Sequence, residues 1–254
     1  MQLYYKDEYI RLFQGDCLEV MDKLIEKGLK VDMILCDLPY KITRNKWDIE
    51  IDLIKLWDQY NRIIKYNGAI VLTANEPFTS ELIMSNIDMY KYKIIWEKTV
   101  ASSQMNCNYA PLRIYEEILI FSKAAACYVK DKSKAMTYNP QFSKGEPYKI
   151  KRKINTSNTY DYQKENEKIN DGYRYPNDII KISNPRIKNG HPTQKPVGLM
   201  EYIIKTYTNE NEIVLDNTCG SGTTLLAARN LKRKCIGIEL EEKYCEIAKN
   251  RLVA

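Results

Sequence analysis

Apolar positions along the chain fall into two patterns. Short continuous runs, such as VDMILC at 31–36, AIVLTA at 69–74, EIVLD at 212–216 and KCIGIE at 234–239, are bounded by turn residues. Runs of this kind suit strands covered on both faces, as in a parallel sheet. Between them the apolar positions recur at helical spacing. IRLFQGDCLEVMDKLIEKG predicts a short strand, a Gly-Asp turn and an amphipathic helix from Leu18 to about Lys27. Apolar residues at 53, 56, 57, 60, 63 and 64 predict a second helix, closed by Asn67-Gly68. EPFTSELIMSNI predicts a third, with Pro77 in its first turn.

YKYKIIWEK and IYEEILIFSK read as two more strands, after which the periodicity fades. It returns with a helix in PVGLMEYIIKTY, the strand EIVLD, a helix in GTTLLAARNLK, the strand KCIGIE and a closing helix in EEKYCEIAKNRL. Strand–helix alternation at both ends implies an α/β fold with a mostly parallel sheet. The stretch 124–190, with scattered turn residues and no clear helix, reads as an insert. The expected organisation is therefore 1–123 and 191–254 as two halves of one domain, with 124–190 inserted between them.

Composition narrows this picture. The 254 residues are 44% hydrophobic, ordinary for a globular protein, and no run approaches the roughly 18 apolar residues of a membrane span. The opening MQLYYKDEYIRLF has no signal-peptide pattern. Seven cysteines without a C-x-x-C pair suggest reduced, buried thiols and a cytoplasmic protein. One histidine, His191, argues against a His-based zinc site or a serine-hydrolase triad, and no metal is expected. Charge is uneven: 123–188 holds 15 Lys and Arg against 7 Asp and Glu, while the whole chain is only +6. Basic residues interleaved there with Tyr128, Tyr138, Phe142, Tyr148, Tyr160, Tyr162, Tyr173 and Tyr175 suit a nucleic-acid-contacting insert. Its densest positive cluster is KIKRK, with Lys149, Lys151, Arg152 and Lys153 as candidate phosphate contacts.

Two of the buried strands end in acids. VDMILC runs straight into Asp37, followed by Leu38, Pro39 and Tyr40; EIVL runs into Asp216, followed by the turn NTCGSG and a helix. A lone aspartate at a strand end most often caps the next turn. In open α/β sheets, however, ligands sit just beyond the carboxyl ends of strands. Gly220 and Gly222 let backbone approach a ligand at a helix N-terminus. The turn is neither the dinucleotide fingerprint, since position 225 is Leu225, nor a phosphate-binding P-loop, since no Gly-Lys-Ser/Thr follows. KCIGIEL then places Glu239 at the next strand end, where a carboxylate suits two ribose hydroxyls.

Together these segments resemble the β-class of amino DNA methyltransferases. DLPY is similar to their D-P-P-Y tetrad, and HPTQKPVGLMEYIIKTYTNENEIVLDNTCGSGTT to their cofactor block. The likeness covers essentially the whole chain. It implies a Rossmann-like class I S-adenosylmethionine-dependent fold in circularly permuted motif order, with an inserted target-recognition region. It further implies Asp37, Leu38, Pro39 and Tyr40 as the catalytic tetrad, and Gly220, Ser221, Gly222 and Thr223 around the cofactor. Asp216 would lie near the cofactor's methionine end, Glu239 on its ribose hydroxyls, and Asp16 on its adenine amino group. Thr193, Gln194 and Lys195 would meet its carboxylate. Double-stranded DNA is the implied partner; a homodimer and a restriction endonuclease partner are both compatible with the resemblance.

The sequence departs from the family pattern twice. Leu38 replaces the first proline of the tetrad, though the chemistry needs only its backbone carbonyl, and Pro39 still biases it toward an extended conformation. The family's usual histidine before a later glutamate is Tyr115, ahead of Glu116. In the family it resembles, cytosine-N4 transfer usually goes with a serine at the first tetrad position, so the resemblance with Asp37 implies adenine N6 as the target and cytosine N4 as the alternative. From another class, an inactive DNA-binding subunit would be told apart by its failure to bind S-adenosylmethionine. Five-carbon cytosine methylation is excluded, because no cysteine follows a proline.

Overall fold

In the computed structural model, which describes residues 1–39, 51–152, 166–184 and 194–253, the buried runs become strands of one nine-stranded sheet. The chain forms β1 (Gln2–Lys6), β2 (Ile10–Gln14), α1 (Cys17–Glu26), β3 (Val31–Cys36) and α2 (Leu53–Ile63). It continues with β4 (Ile64–Ala74), α3 (Phe78–Ser85), β5 (Tyr90–Ser102) and β6 (Arg113–Phe121). Four short strands follow: β7 (Ser143–Lys144), β8 (Tyr148–Arg152), β9 (Asn166–Asn170) and β10 (Tyr173–Arg174). The last part is β11 (Ile179–Lys181), α4 (Val197–Tyr207), β12 (Ile213–Asp216), α5 (Thr223–Asn230), β13 (Lys234–Glu239) and α6 (Glu242–Val253). Two compact units result, one of Met1–Asn139 with Asp178–Ala254, the other of Pro140–Asn177.

In the first unit the strand order is β1-β2-β13-β12-β3-β4-β6-β5-β11. Strands β2, β13, β12, β3 and β4 run parallel, and β6 is antiparallel to both β4 and β5. From β3 the chain moves outward to β4; from β12 it moves the other way to β13. The strand order therefore reverses between β3 and β12, the kind of switch point beyond whose carboxyl ends ligands bind in open α/β sheets.

Strand alternation sorts the side chains onto two faces. Met33, Leu35, Ala69 and Val71 pack with residues of α4, α5 and α6. Ile34, Cys36, Ile70 and Leu72 pack with residues of α1, α2 and α3. The sheet is thus a middle layer with an apolar core on each side. No helix among the described residues is long and apolar enough to cross a membrane.

Four features differ from the sequence expectation. Strand β1 lies at the sheet edge, where it needs no apolar run. The turn into β2 is made by Asp7, whose Oδ1 accepts from the backbone N–H of Tyr9 (2.8 Å) and Ile10 (2.6 Å). Helix α2 ends at Ile63, not at Asn67-Gly68, because Ile64 already pairs with Val31 of β3. Gly68 is needed for a different reason: a Cβ there would meet the Asp32 carbonyl at 2.6 Å.

The separate unit is also shorter than 124–190. Met136 belongs to the main core, and β11 joins the sheet beside β5. Most of the positive excess of 123–188 then falls outside it, since Pro140–Asn177 carries 8 Lys and Arg against 5 Asp and Glu. Finally, all seven cysteines are free, but Cys107 and Cys127 are exposed rather than buried.

Candidate active site

Asp37 follows β3 at the reversal point, and its side chain is fixed from two directions. Thr73, fully buried on the neighbouring strand β4, donates its hydroxyl to Oδ1. Lys195, just ahead of α4, donates Nζ to Oδ2 at 2.7 Å. Lys195 is buried and also lies 3.2 Å from Oε2 of Glu116 on β6. Glu116 in turn pairs with the buried Lys98 of β5 at 3.1 Å. Burial alone lowers the Lys195 ammonium, but Asp37 and Glu116 outweigh it and leave it above the ordinary lysine value.

The main-chain carbonyl of Asp37 accepts from Thr218 Oγ1 at 3.1 Å, which joins the β3 exit to the loop after β12. Leu38 turns its side chain into the core on the α1–α3 side, among residues such as Leu72 and Ile34. An apolar residue at this tetrad position therefore contributes packing. Tyr40 lies outside the described residues, as do Lys153 and Thr193.

Asp216 ends β12 and is buried, with Oδ1 accepting from the backbone N–H of Thr218 at 3.2 Å. Burial pushes its carboxyl up to about 7; hydrogen bonds from Thr224 and Thr218 pull it down, and the charges of Asp37 and Glu239 push it up. Behind it, Asn217 Oδ1 accepts from Tyr60 Oη (2.7 Å) and Cys36 Sγ (3.0 Å). This fully buried cluster ties α2, β3 and the β12 loop together.

The two glycines of the turn do different things. Gly220 has φ +50°, and a Cβ there would meet nothing within 4 Å, so its backbone borders open space. Gly222 (φ +73°) is crowded instead, with Ala248 of α6 only 2.8 Å from an added Cβ. Close packing against a helix accounts for a glycine at 222, and the backbone at Gly220 is open to the approach of a ligand.

Glu239 ends β13 with one carboxylate oxygen on the N–H of Gly220 (2.9 Å) and the other on that of Glu241 (2.9 Å). Burial raises its carboxyl while these backbone bonds lower it. A carboxylate has about four lone-pair sites, so this one is oriented and still able to accept. Asp16 is the N-cap of α1, its Oδ1 accepting from Leu18 and Glu19. Gly15 N–H donates to the Glu239 carbonyl at 2.9 Å, which brings Asp16 to the same edge as Glu239. Ser221 bonds Gln194 through Oγ (3.3 Å), and Arg251 of α6 holds the Ser221 carbonyl (2.6 Å) and Thr223 Oγ1 (3.1 Å).

The sequence pattern points to Asp37, Asp216, Gly220, Ser221, Thr223, Glu239, Asp16, Gln194 and Lys195, and the first unit brings all of them to the carboxyl edge around β3, β12, β13 and β2. It does not point to Thr73, Lys98, Thr218 or Arg251. A threonine inside the apolar run AIVLTA and a lysine after IIWE are the available signals for the first two. The donor set fits a nucleoside: the Glu239 carboxylate beside the open space at Gly220, and Asp16 at the neighbouring strand end.

Between β3 and β12, acids on both strand ends and a glycine turn mark a ligand site of the Rossmann-like α/β kind. Residues 31–250 match the N6/N4 DNA methylase family, and the protein belongs to it. DNA adenine methyltransferase YhdJ of Escherichia coli strain K12 is 28% identical over 267 residues, covering 98% of this chain and 84% of its own length. Type II methyltransferase M2.LlaDCHI of Lactococcus lactis subsp. cremoris is 27% identical over 279 residues, 98% of this chain and 91% of its own. Among solved structures, the M1.HpyAVI–SAM complex superposes with a TM-score of 0.63 at 28% identity, over 95% of this chain and 99% of its own. PvuII DNA methyltransferase, which is cytosine-N4-specific, has a TM-score of 0.70 over 100% of this chain and 89% of its own. At 15% identity the PvuII likeness is one of fold alone.

Proposed function

We propose that the protein transfers a methyl group from S-adenosylmethionine to the N6 amino group of a flipped-out adenine in double-stranded DNA. The observation that carries this reading is Asp37, a carboxylate held by Thr73 and Lys195 at the end of β3, beside Asp216 at the reversal point of the sheet. Likeness to a relative named as a DNA adenine methyltransferase supports the choice of base. So does an aspartate, rather than a serine, at the first tetrad position.

An exocyclic amino group is a weak nucleophile because its lone pair is delocalised into the ring. Asp37 and the backbone carbonyl of Leu38 accept hydrogen bonds from that group and favour a pyramidal nitrogen. Pro39 stiffens the loop and Tyr40 offers a stacking face, worth about 1–3 kcal/mol against the few kcal/mol that flipping costs. Bound S-adenosylmethionine supplies an electrophilic methyl group. Glu239 and Asp16 hold the nucleoside end, Asp216 lies near the methionine end, and the Gly220 turn with Gln194 and Ser221 flanks the cofactor. What the chain contributes is positioning and charge stabilisation.

The unit Pro140–Asn177 is assigned the reading of DNA. Its strands β8 and β9 pair antiparallel, with Lys149 opposite Ile169 and Lys151 opposite Glu167. Lys149 and Lys151 share one face of β8 and are exposed. Arg174 stacks over Tyr148 at 4.4 Å and donates to Asn170 Oδ1 at 2.7 Å, which braces the unit internally. Methylome sequencing of a host expressing the protein tests the whole reading. N6-methyladenine at one sequence context is expected; N4-methylcytosine, or no modification, overturns it.

A further inference from the structure

The family resemblance gives Lys195 to the carboxylate of the cofactor, but its surroundings give it another partner. Its ammonium sits 2.7 Å from Oδ2 of Asp37 and 3.2 Å from Oε2 of Glu116, with the residue only 9% exposed. An ammonium has three N–H donors, and two carboxylates already face it. Beyond Glu116, Lys98 closes the row at 3.1 Å with 5% exposure. The result is a line of alternating sign, Lys98–Glu116–Lys195–Asp37, with its two lysines buried and the Asp37 side chain 29% exposed at its end. Such a line is tolerated in the interior because each charge has an opposite neighbour.

We infer that Lys195 is a positioning residue for Asp37: it fixes the carboxylate that receives the target amino group, and Glu116 and Lys98 anchor it from behind. This rests on the function proposed above. The terminal torsion of an aspartate is broad, and a carboxylate at a strand end swings unless both oxygens are held. Thr73 holds Oδ1 from β4 and Lys195 holds Oδ2 from the segment before α4. Donors on both oxygens set the plane of the Asp37 carboxylate. The anchoring residues come from β5 and β6, the antiparallel pair next to β4, so the carboxylate is tied to the rigid sheet.

A positioning role and a cofactor-binding role predict opposite splits. Lys195→Met is expected to lower the single-turnover methyl-transfer rate at saturating cofactor by about a hundredfold, the size associated with misplacing a reacting group. Its S-adenosylmethionine affinity by calorimetry stays within about threefold of wild type. Lys195→Arg, which keeps charge and donors, recovers at least about tenfold of the lost rate. Because Lys195→Met leaves Glu116 without one partner, Lys195→Met/Glu116→Gln is measured beside it. That double variant regains thermal stability but not rate.

Two results overturn the inference: a wild-type rate in Lys195→Met, or cofactor affinity weakened about tenfold or more with the saturated rate unchanged. The second returns Lys195 to the cofactor carboxylate. A wild-type protein that binds S-adenosylmethionine but methylates no DNA counts against the proposed function instead.

Discussion

Thr218 Oγ1 donates to the main-chain carbonyl of Asp37 at 3.1 Å, across 181 residues of sequence. Through this bond the loop that follows β12 and the exit of β3 share one geometry, so the half of the site assigned to the cofactor is mechanically joined to the half assigned to the base. A single neutral hydrogen bond contributes about 1 kcal/mol. Thr218→Val keeps the shape and removes the donor. The expected result is a transfer rate lowered about tenfold with a small fall in melting temperature, while Thr218→Ser stays near wild type. Equal single-turnover rates for the valine and serine variants would show that the bond does not set the site.

Asp37→Ala removes the carboxylate itself. Methyl transfer is expected to vanish while S-adenosylmethionine binding persists, because the carboxylate is assigned to the base and not to the nucleoside. In the same assay Tyr40→Ala is impaired and Tyr40→Phe retains more activity, since the ring face stacks and the hydroxyl does not. Tritiated-methyl transfer into duplex DNA reads all three. A fully active Asp37→Ala protein sinks the proposed chemistry.

Much of this arrangement is legible in the sequence, for a physical reason. Strands β3, β12 and β13 are covered on both faces, so they appear as uninterrupted apolar runs, and the acids that end them stand out against that background. The edge strand β1 and the three-residue β11 have no such background and escape notice. Gly68 invites the wrong reading because a glycine after a helix and a glycine beneath a neighbouring carbonyl look alike in one dimension. Nor does the sequence show that the ammonium of Lys195 lies 2.7 Å from Asp37 and 3.2 Å from Glu116, because those residues come from distant strands.

Glu239 carries two tasks, and a prediction separates them. Its oxygens orient the N–H groups of Gly220 and Glu241, and the same carboxylate is assigned the ribose hydroxyls. Glu239→Gln keeps the size but turns one acceptor into a donor facing a backbone N–H. Cofactor affinity is expected to fall by roughly 1–3 kcal/mol, with a loss of thermal stability even without cofactor. Calorimetry and a melt of the apo-protein check the two parts; unchanged affinity removes Glu239 from the cofactor site.

Asp216 makes stability depend on pH with a definite sign. Its folded value of about 7 lies above the ordinary 3.8, mainly because burial penalises the charged form. Between those values the folded protein binds more protons than the unfolded chain, so stability falls as pH rises from about 4 to about 7 and this contribution levels off above. Asp216→Asn cannot ionise. Its melting temperature is expected to lose this part of the pH dependence and to exceed that of wild-type apo-protein at about pH 7.5. Parallel melting curves for the two proteins across about pH 4–8 would mean that Asp216 does not carry the effect.

The basic strand β8 gives the last prediction. Lys149 and Lys151 alternate with Tyr148 and Ile150, so the two lysines project from one face. If that face tracks phosphates, each phosphate left without its lysine lowers the slope of log affinity against log salt by about 0.9. Lys149→Ala/Lys151→Ala is then expected to bind all duplex sequences more weakly, with a slope reduced by about 1.8 and an unchanged preference among sites. Glu167 opposite Lys151 already neutralises part of that face, so a reduction of about 0.9 assigns the phosphate to Lys149 alone. Fluorescence anisotropy over a salt series reads the slope directly. A slope equal to wild type leaves these lysines as solvated residues of a hairpin, and the DNA-binding surface must then be sought among the basic residues of the first unit, Lys123, Lys130, Lys132 and Lys134.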